Sequence, residues 1–274
     1  MSIRTTLDHI AARGEKAVGL FLTCGFPSPD ATSAILDTIA EAGSDFVELG
    51  MPFSDPIAEG IPIQRSSEIA LRNGVTLQTV LETAEAFKLK HKTPLVLMGY
   101  ANPIHRYGVN EFCRDAAAAG VDGLILADLS IEASSLIEEP AASSGLELVH
   151  LVAPSTPTER VAEIDTRATG FVYAVSTSGL TGDSLDDLAP IQSYLSRLRE
   201  TVVSNPLLVG FGIDRHDLGM KLSQHTDGFI VGSALIRKIE QLWEQPALSE
   251  IDRLSEVARF TVGLKSGPQE NLNP

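Results

Sequence analysis

Cysteine is scarce in this chain. Cys24 and Cys113 are the only two among 274 residues, and they lie far apart with no CxxC pairing. That argues against a disulfide framework and a zinc knuckle, and leaves two free thiols suited to a reducing compartment. Basic residues are also few: Lys plus Arg number 21 against 36 Asp plus Glu, a formal net charge of −15. Phosphate polymers and anionic lipid surfaces require positive potential, so the chain is a poor candidate for binding nucleic acid or a membrane surface. A phosphorylated small molecule would need a site built locally, from backbone N–H groups and helix ends. Long apolar runs are missing too, since none approaches the ~18 residues of a membrane span. The first run, 17–22, is short and follows the charged Arg13-Gly-Glu-Lys16, which is unlike a signal peptide. Together these features point to the cytoplasm.

Several catalytic signatures are absent as well. There is no P-loop and no G-x-S-x-G. His9, His91, His105, His150, His216 and His225 show no metal-ligand spacing. No lysine falls at the end of an apolar run, which disfavours a Schiff-base aldolase.

What is present is an alternation. Hydrophobic residues make up 43% of the chain and charged residues 21%, enough apolar material for a sizeable core. Short runs rich in Val, Ile, Leu and Phe recur at 17–23, 46–51, 94–100, 123–127, 147–153, 171–176, 206–211 and 228–231. Continuous runs of this length predict strands buried on both faces, hence a parallel sheet. Helical spacing fills the gaps at 30–42, 77–90, 111–119, 131–143, 158–166, 188–200, 215–223, 234–243 and 249–264, with Asp30 as the expected N-cap behind Pro29. A weak repeat, Glu41-Ala-Gly-Ser-Asp45, Ala118-Ala-Gly-Val-Asp122 and Thr226-Asp227-Gly, stands before three of the runs. Glycine there suits a helix C-terminus and Asp a tight turn.

Eight strand–helix units in a chain of this length fit a single-domain (β/α)8 TIM barrel over 1–265, with 266–274 as a disordered tail. An open doubly wound sheet is the competing fold. It would show G-x-G-x-x-G after its first strand, where this chain has Thr23-Cys-Gly25-Phe-Pro27.

Barrel chemistry sits at the C-terminal strand ends. In the second run, Glu48 interrupts an otherwise apolar strand. With Val47 and Leu49 turned to the helices, Glu48 points into the barrel, where desolvation raises its pKa and suits it to proton transfer. A structural glutamate paired with a cation is the alternative. The following stretch, 51–64, has three prolines and the acids Asp55 and Glu59, and reads as a long functional loop. Glu59 completes a carboxylate pair with Glu48 or is a solvated loop acid. Glycines and hydroxyls gather at 176–182, and Gly210-Phe-Gly212 and Gly232-Ser233 close the last two strands, where barrels grip phosphate. The residues describe a cofactor-free barrel enzyme that binds a small phosphorylated substrate and moves protons with two carboxylates.

The run Phe46-Val-Glu-Leu-Gly-Met-Pro-Phe-Ser-Asp-Pro56 closely resembles the signature of the tryptophan synthase alpha chain family. The likeness continues through Leu97-Met98, Tyr100-Ala-Asn-Pro103, Ile125-Leu-Ala-Asp128, Val172-Tyr173, Ser176 with Gly179-Leu-Thr-Gly182, Gly210-Phe-Gly-Ile213 and Gly232-Ser-Ala234. The resemblance implies a (β/α)8 barrel that cleaves indole-3-glycerol phosphate to indole and glyceraldehyde 3-phosphate in tryptophan biosynthesis. It implies Glu48 and Glu59 as catalytic carboxylates. Phe21, Tyr100, Ala127, Tyr173, Thr181 and Phe211 would form the indole pocket, and Gly182, Gly212, Gly232 and Ser233 would hold the phosphate. No cofactor is expected in this chain. Pyridoxal phosphate would reside in a beta-chain partner, the two chains forming an alpha2-beta2 heterotetramer.

Two departures stand out. The family's second carboxylate is an aspartate in D-G-P-x-I-Q, where this chain has Glu59-Gly-Ile-Pro-Ile-Gln64, and its D-x-P after the fourth strand is Asp128-Leu-Ser130 here. They leave room for two variants of the function, a weakly active regulatory partner of a beta chain and a stand-alone indole-releasing lyase. A metal-dependent pentose-phosphate epimerase would want metal ligands at the strand ends, which the sequence does not offer.

Overall fold

The computed structural model describes residues 2–57, 59–175, 188–210 and 212–267. Eight strands run parallel: β1 Ala17–Thr23, β2 Phe46–Gly50, β3 Leu95–Gly99, β4 Gly123–Leu126, β5 Glu147–Val152, β6 Val172–Val175, β7 Leu207–Gly210 and β8 Gly228–Val231. Each pairs with the next, and β8 pairs with β1 to close the barrel. The fold is the expected TIM barrel, and each predicted run holds its strand to within about one residue at either end. All positions of β1 and β2 are buried. One face fills the barrel and the other meets the helices, which is why these strands read as near-continuous apolar runs, with Glu48 the charged exception in β2.

The barrel has its own inner core of Phe46, Val96, Ile125, Val149, Phe171 and neighbours. Phe46 and Phe171 lie with ring centroids 5.7 Å apart. Gly19 makes room for this layer, since a Cβ there would sit 2.2 Å from the Phe46 ring. The floor is the helix Ile3–Ala12, whose Ile3, Leu7 and Ile10 join the same cluster. Its sequence signal was the Ser2 cap followed by apolar residues at i, i+4 and i+7. Burying each of those side chains is worth ~1.5–3 kcal/mol.

The repeated Gly–Asp corners have a clear role. Gly43 (φ 98°) and Gly120 (φ 82°) end their helices in the left-handed region, as expected. The aspartates do not make tight turns. Each instead clamps two strands together. Val18 N–H donates to Asp45 Oδ2 at 2.7 Å, Leu95 N–H to Asp122 Oδ2 at 2.8 Å, and Leu207 N–H to Asp227 Oδ2 at 2.7 Å. The aspartate N–H groups return bonds of 3.0, 2.8 and 2.7 Å to the carbonyls of those same residues. Before β6 the Thr169 hydroxyl does the same job, accepting Leu148 N–H at 2.7 Å. The odd-numbered strands are thus tied to their successors at the N-terminal end of the barrel. Lys265, Lys88 and Arg199 neutralise the three aspartates.

Several boundaries differ from the sequence reading. The cap of helix Pro29–Glu41 is Ser28, whose Oγ accepts Ala31 N–H at 3.3 Å. Pro29 takes the first helical position, which puts Asp30 inside the first turn. The segment expected as loop to Gln64 becomes helix Ile61–Arg72 after the Gly60 cap, because Pro62 is tolerated in a first turn. The helix expected from Ile131 begins at Ser135, and a short helix Ala101–Tyr107 was not foreseen. The last helix ends at Ser266, and the rest of the expected tail, 268–274, lies outside the described residues. Among the described residues no helix is long and apolar enough to cross a membrane.

Candidate active site

Glu48 stands on the inner face of β2, opposite Phe21 of β1 and Val96 of β3. Val47 and Leu49 pack outward with the helices, so the alternation read from sequence places Glu48 correctly. Its side chain is fully buried, and neither carboxyl oxygen has a hydrogen-bond partner among the described residues. Burial alone pushes its pKa up to about 8. It therefore holds its proton through neutral pH, and among the described residues it has no ion-pair partner of the kind the structural alternative required. Tyr173 on β6 faces it. Burial, and then the proximity of Glu48, raise the phenol's pKa well above its ordinary value.

Above this acid the barrel mouth encloses a cavity of about 140 Å³. Of the predicted site residues, Glu59, Tyr173, Gly212, Gly232 and Ser233 line it. Gly212 adopts φ 63°, a backbone that side chains disfavour, and a Cβ there would enter open space. Gly232 caps helix Ser233–Trp243, whose first-turn N–H groups have no acceptor within the helix. Gly210 gives way to Tyr173, since a Cβ on it would lie 2.4 Å from the phenol oxygen.

Phe21, Tyr100 and Ala127 are near the mouth but not on the cavity wall. Phe21 is buried against Gly50. Ala127 follows β4, with its N–H bonded to Gly99 O at 2.9 Å. The Tyr100 hydroxyl turns to the loop after β2. It accepts Ile57 N–H at 2.8 Å and donates to Glu59 Oε2. Thr181, Gly182 and Phe211 lie outside the described residues. Sequence reasoning missed the apolar wall, Ile63, Met98, Leu151, Val175, Ile213 and Ile230. Period-2 alternation along β3, β5, β6 and β8 carried that signal for four of them.

A closed barrel whose mouth holds a buried carboxyl, without a partner among the described residues, beneath a half-apolar cavity has the architecture of the barrel enzymes. The comparisons narrow this further. The family model for the tryptophan synthase alpha chain matches residues 7–264. The tryptophan synthase alpha chain of Desulfosudis oleivorans is 41% identical over 91% of this chain and 94% of its own length. That of Geobacter sulfurreducens is 39% identical over 96% and 97%. The crystal structure of tryptophan synthase subunit alpha from Legionella pneumophila superposes with a TM-score of 0.89 at 33% identity, covering 97% of this chain and 98% of that one. The chain belongs to the tryptophan synthase alpha chain family, and is an enzyme of the carbon–carbon lyase type with the alpha-subunit role in tryptophan biosynthesis.

Proposed function

We propose that this chain cleaves indole-3-glycerol phosphate by a retro-aldol step, with Glu48 and Glu59 as its two working carboxylates. The observation that carries the reading is Glu48: fully buried, without a hydrogen-bond partner among the described residues, and protonated up to about pH 8. Carbon–carbon cleavage needs a place for the bonding electrons, and the indole ring offers none until C3 is protonated. Glu48 gives its proton to C3. The positive charge spreads to the ring nitrogen, where the Glu59 carboxylate stabilises it. The resulting Glu48 carboxylate then takes the proton of the side-chain hydroxyl beside the ring. The C–C bond breaks, its electrons return to the ring, and indole and glyceraldehyde 3-phosphate are released with Glu48 protonated again. Each such acid–base role is typically worth 10²–10⁴-fold.

Tyr173 would bound the indole, with Phe21, Tyr100, Ala127, Thr181 and Phe211 around it. The amides at Gly212, Gly232 and Ser233, joined by Gly182, would take the phosphate, which suits a chain with net charge −15 because amides need no basic surface. No cofactor enters this scheme. A beta chain carrying pyridoxal phosphate would receive the indole in an alpha2-beta2 assembly in the cytoplasm. The test is to incubate the purified chain with indole-3-glycerol phosphate, alone and with a beta chain, and to measure indole. Release by the chain alone supports a self-sufficient lyase. Release only with the beta chain supports a dependent subunit, and no release in either case overturns the reading.

A further inference from the structure

Tyr100 is held firmly. It follows β3, and the next amide, Ala101 N–H, donates to Asp128 Oδ1 at 2.8 Å. Its side chain is buried, and its ring lies on Phe53 with centroids 4.8 Å apart and planes 30° from parallel. From this fixed base the hydroxyl makes two bonds to one loop, accepting Ile57 N–H at 2.8 Å and donating to Glu59 Oε2. Near the loop's ends Met51 N–H donates to Met98 O at 2.7 Å and Gln64 Nε2 donates to Glu59 O at 2.8 Å. One phenol thus ties both the backbone of the loop's middle and its carboxylate to the barrel wall. An aromatic residue needed only as an apolar surface would require no hydroxyl.

We propose that Tyr100 is the positioning residue for Glu59, setting where the loop's carboxylate stands over the cavity and hence its distance from the ring nitrogen of a bound substrate. The inference rests on the reading of Glu59 given above. Glutamate has one more rotatable bond than aspartate, and so more positions to choose among. A hydroxyl bonded both to the carboxylate and to the backbone two residues earlier selects one of them. Orientation of this kind is costly to lose, since misplacement by about 1 Å can cost roughly 10²-fold.

The experiment compares wild type, Tyr100→Phe, Glu59→Gln and the double variant in the full-length chain. It measures kcat and KM for indole release, and titrates glycerol 3-phosphate as a probe of binding. Phenylalanine keeps the packing on Phe53, so folding is preserved. The expected result is a kcat about tenfold to a hundredfold lower for Tyr100→Phe, with glycerol 3-phosphate affinity unaltered. In the Glu59→Gln background the same change should cost almost nothing further, because the two residues act as a unit. A kcat within about threefold of wild type, a change confined to KM and phosphate affinity, or an undiminished loss in the Glu59→Gln background would each overturn the inference while leaving the lyase reading in place. A wild-type chain that releases no indole, alone or with a beta chain, would overturn both.

Discussion

Replacing Glu48 by Gln should stabilise the chain more and more as pH rises, while abolishing turnover. The carboxyl is fully buried with a pKa of about 8, against 4.5 in its ordinary setting. The folded state therefore binds more protons than the unfolded state between those values, so its stability must fall as pH rises through that window. The full difference corresponds to roughly 5 kcal/mol, of which about 4 kcal/mol falls between pH 5 and pH 9. Glutamine is close in shape and does not titrate. Urea denaturation of both proteins at intervals from pH 5 to pH 9 should show wild type losing that amount relative to the variant, mostly below pH 8. In the active protein the acid must be protonated to begin the reaction, so kcat/KM should fall as pH climbs past about 8. A stability difference flat to within about 1 kcal/mol would refute the buried, titrating carboxyl. Retention of more than about a tenth of wild-type turnover would refute its acid–base role, given the ~10²–10⁴-fold usually at stake.

The remaining expectations concern the two ends of the barrel. Asp122→Ala removes the acceptor of Leu95 N–H and the partner of Lys88, whose ammonium lies 2.8 Å away in a largely buried pair. It should cost about 2–3 kcal/mol in denaturant unfolding, and a loss under about 0.5 kcal/mol would mean the clamp is ornamental. Gly212→Val places a branched side chain at φ 63° on the cavity wall. Calorimetric titration should then show weaker binding of glycerol 3-phosphate, and unchanged affinity would move the phosphate site elsewhere. Glu59→Asp shortens the acid by about 1.5 Å and draws it away from the Tyr100 hydroxyl. Indole release should slow by about tenfold or more, and acceleration would show that the native glutamate is a handicap.

The strands were legible because a parallel strand covered on both faces has no polar side to confuse with anything else. Glu48 was legible for the same reason, as a charge set inside such a run. The N-terminal helix was overlooked although Ser2 and the spacing of Ile3, Leu7 and Ile10 signalled it, because it precedes the first strand and lies outside the strand–helix alternation. The aspartates announced a repeat, but only the register shows that each reaches the neighbouring strand, because the acceptor and its donor are 20 to 27 residues apart. The bond between Tyr100 and Glu59 was invisible for the same cause. The family resemblance marks Tyr100 as a pocket residue, which the described cavity wall does not include, while its hydroxyl's direction depends on where a separate loop returns.

The two ends of the barrel divide stability and chemistry between them. Keeping Glu48 protonated at pH 7, when an unfolded chain would ionise it, costs about 3 kcal/mol. Among the described residues no hydrogen bond offsets this, for neither of its oxygens has a partner there. At the opposite end, Asp45, Asp122 and Asp227 are each paired with a cation and each accept a strand N–H, at ~1.5–3 kcal/mol apiece for hydrogen bonds to charged groups. The same residue class therefore serves opposite ends by opposite means. Carboxylates with donors around them fasten strands, while one carboxyl deprived of donors among the described residues stays neutral and holds a proton. Giving Glu48 a donor, for instance by Val96→Lys on the adjacent strand, would convert the second kind into the first. Such a variant would keep the carboxylate at the same position and still lose the proton that the cleavage step requires.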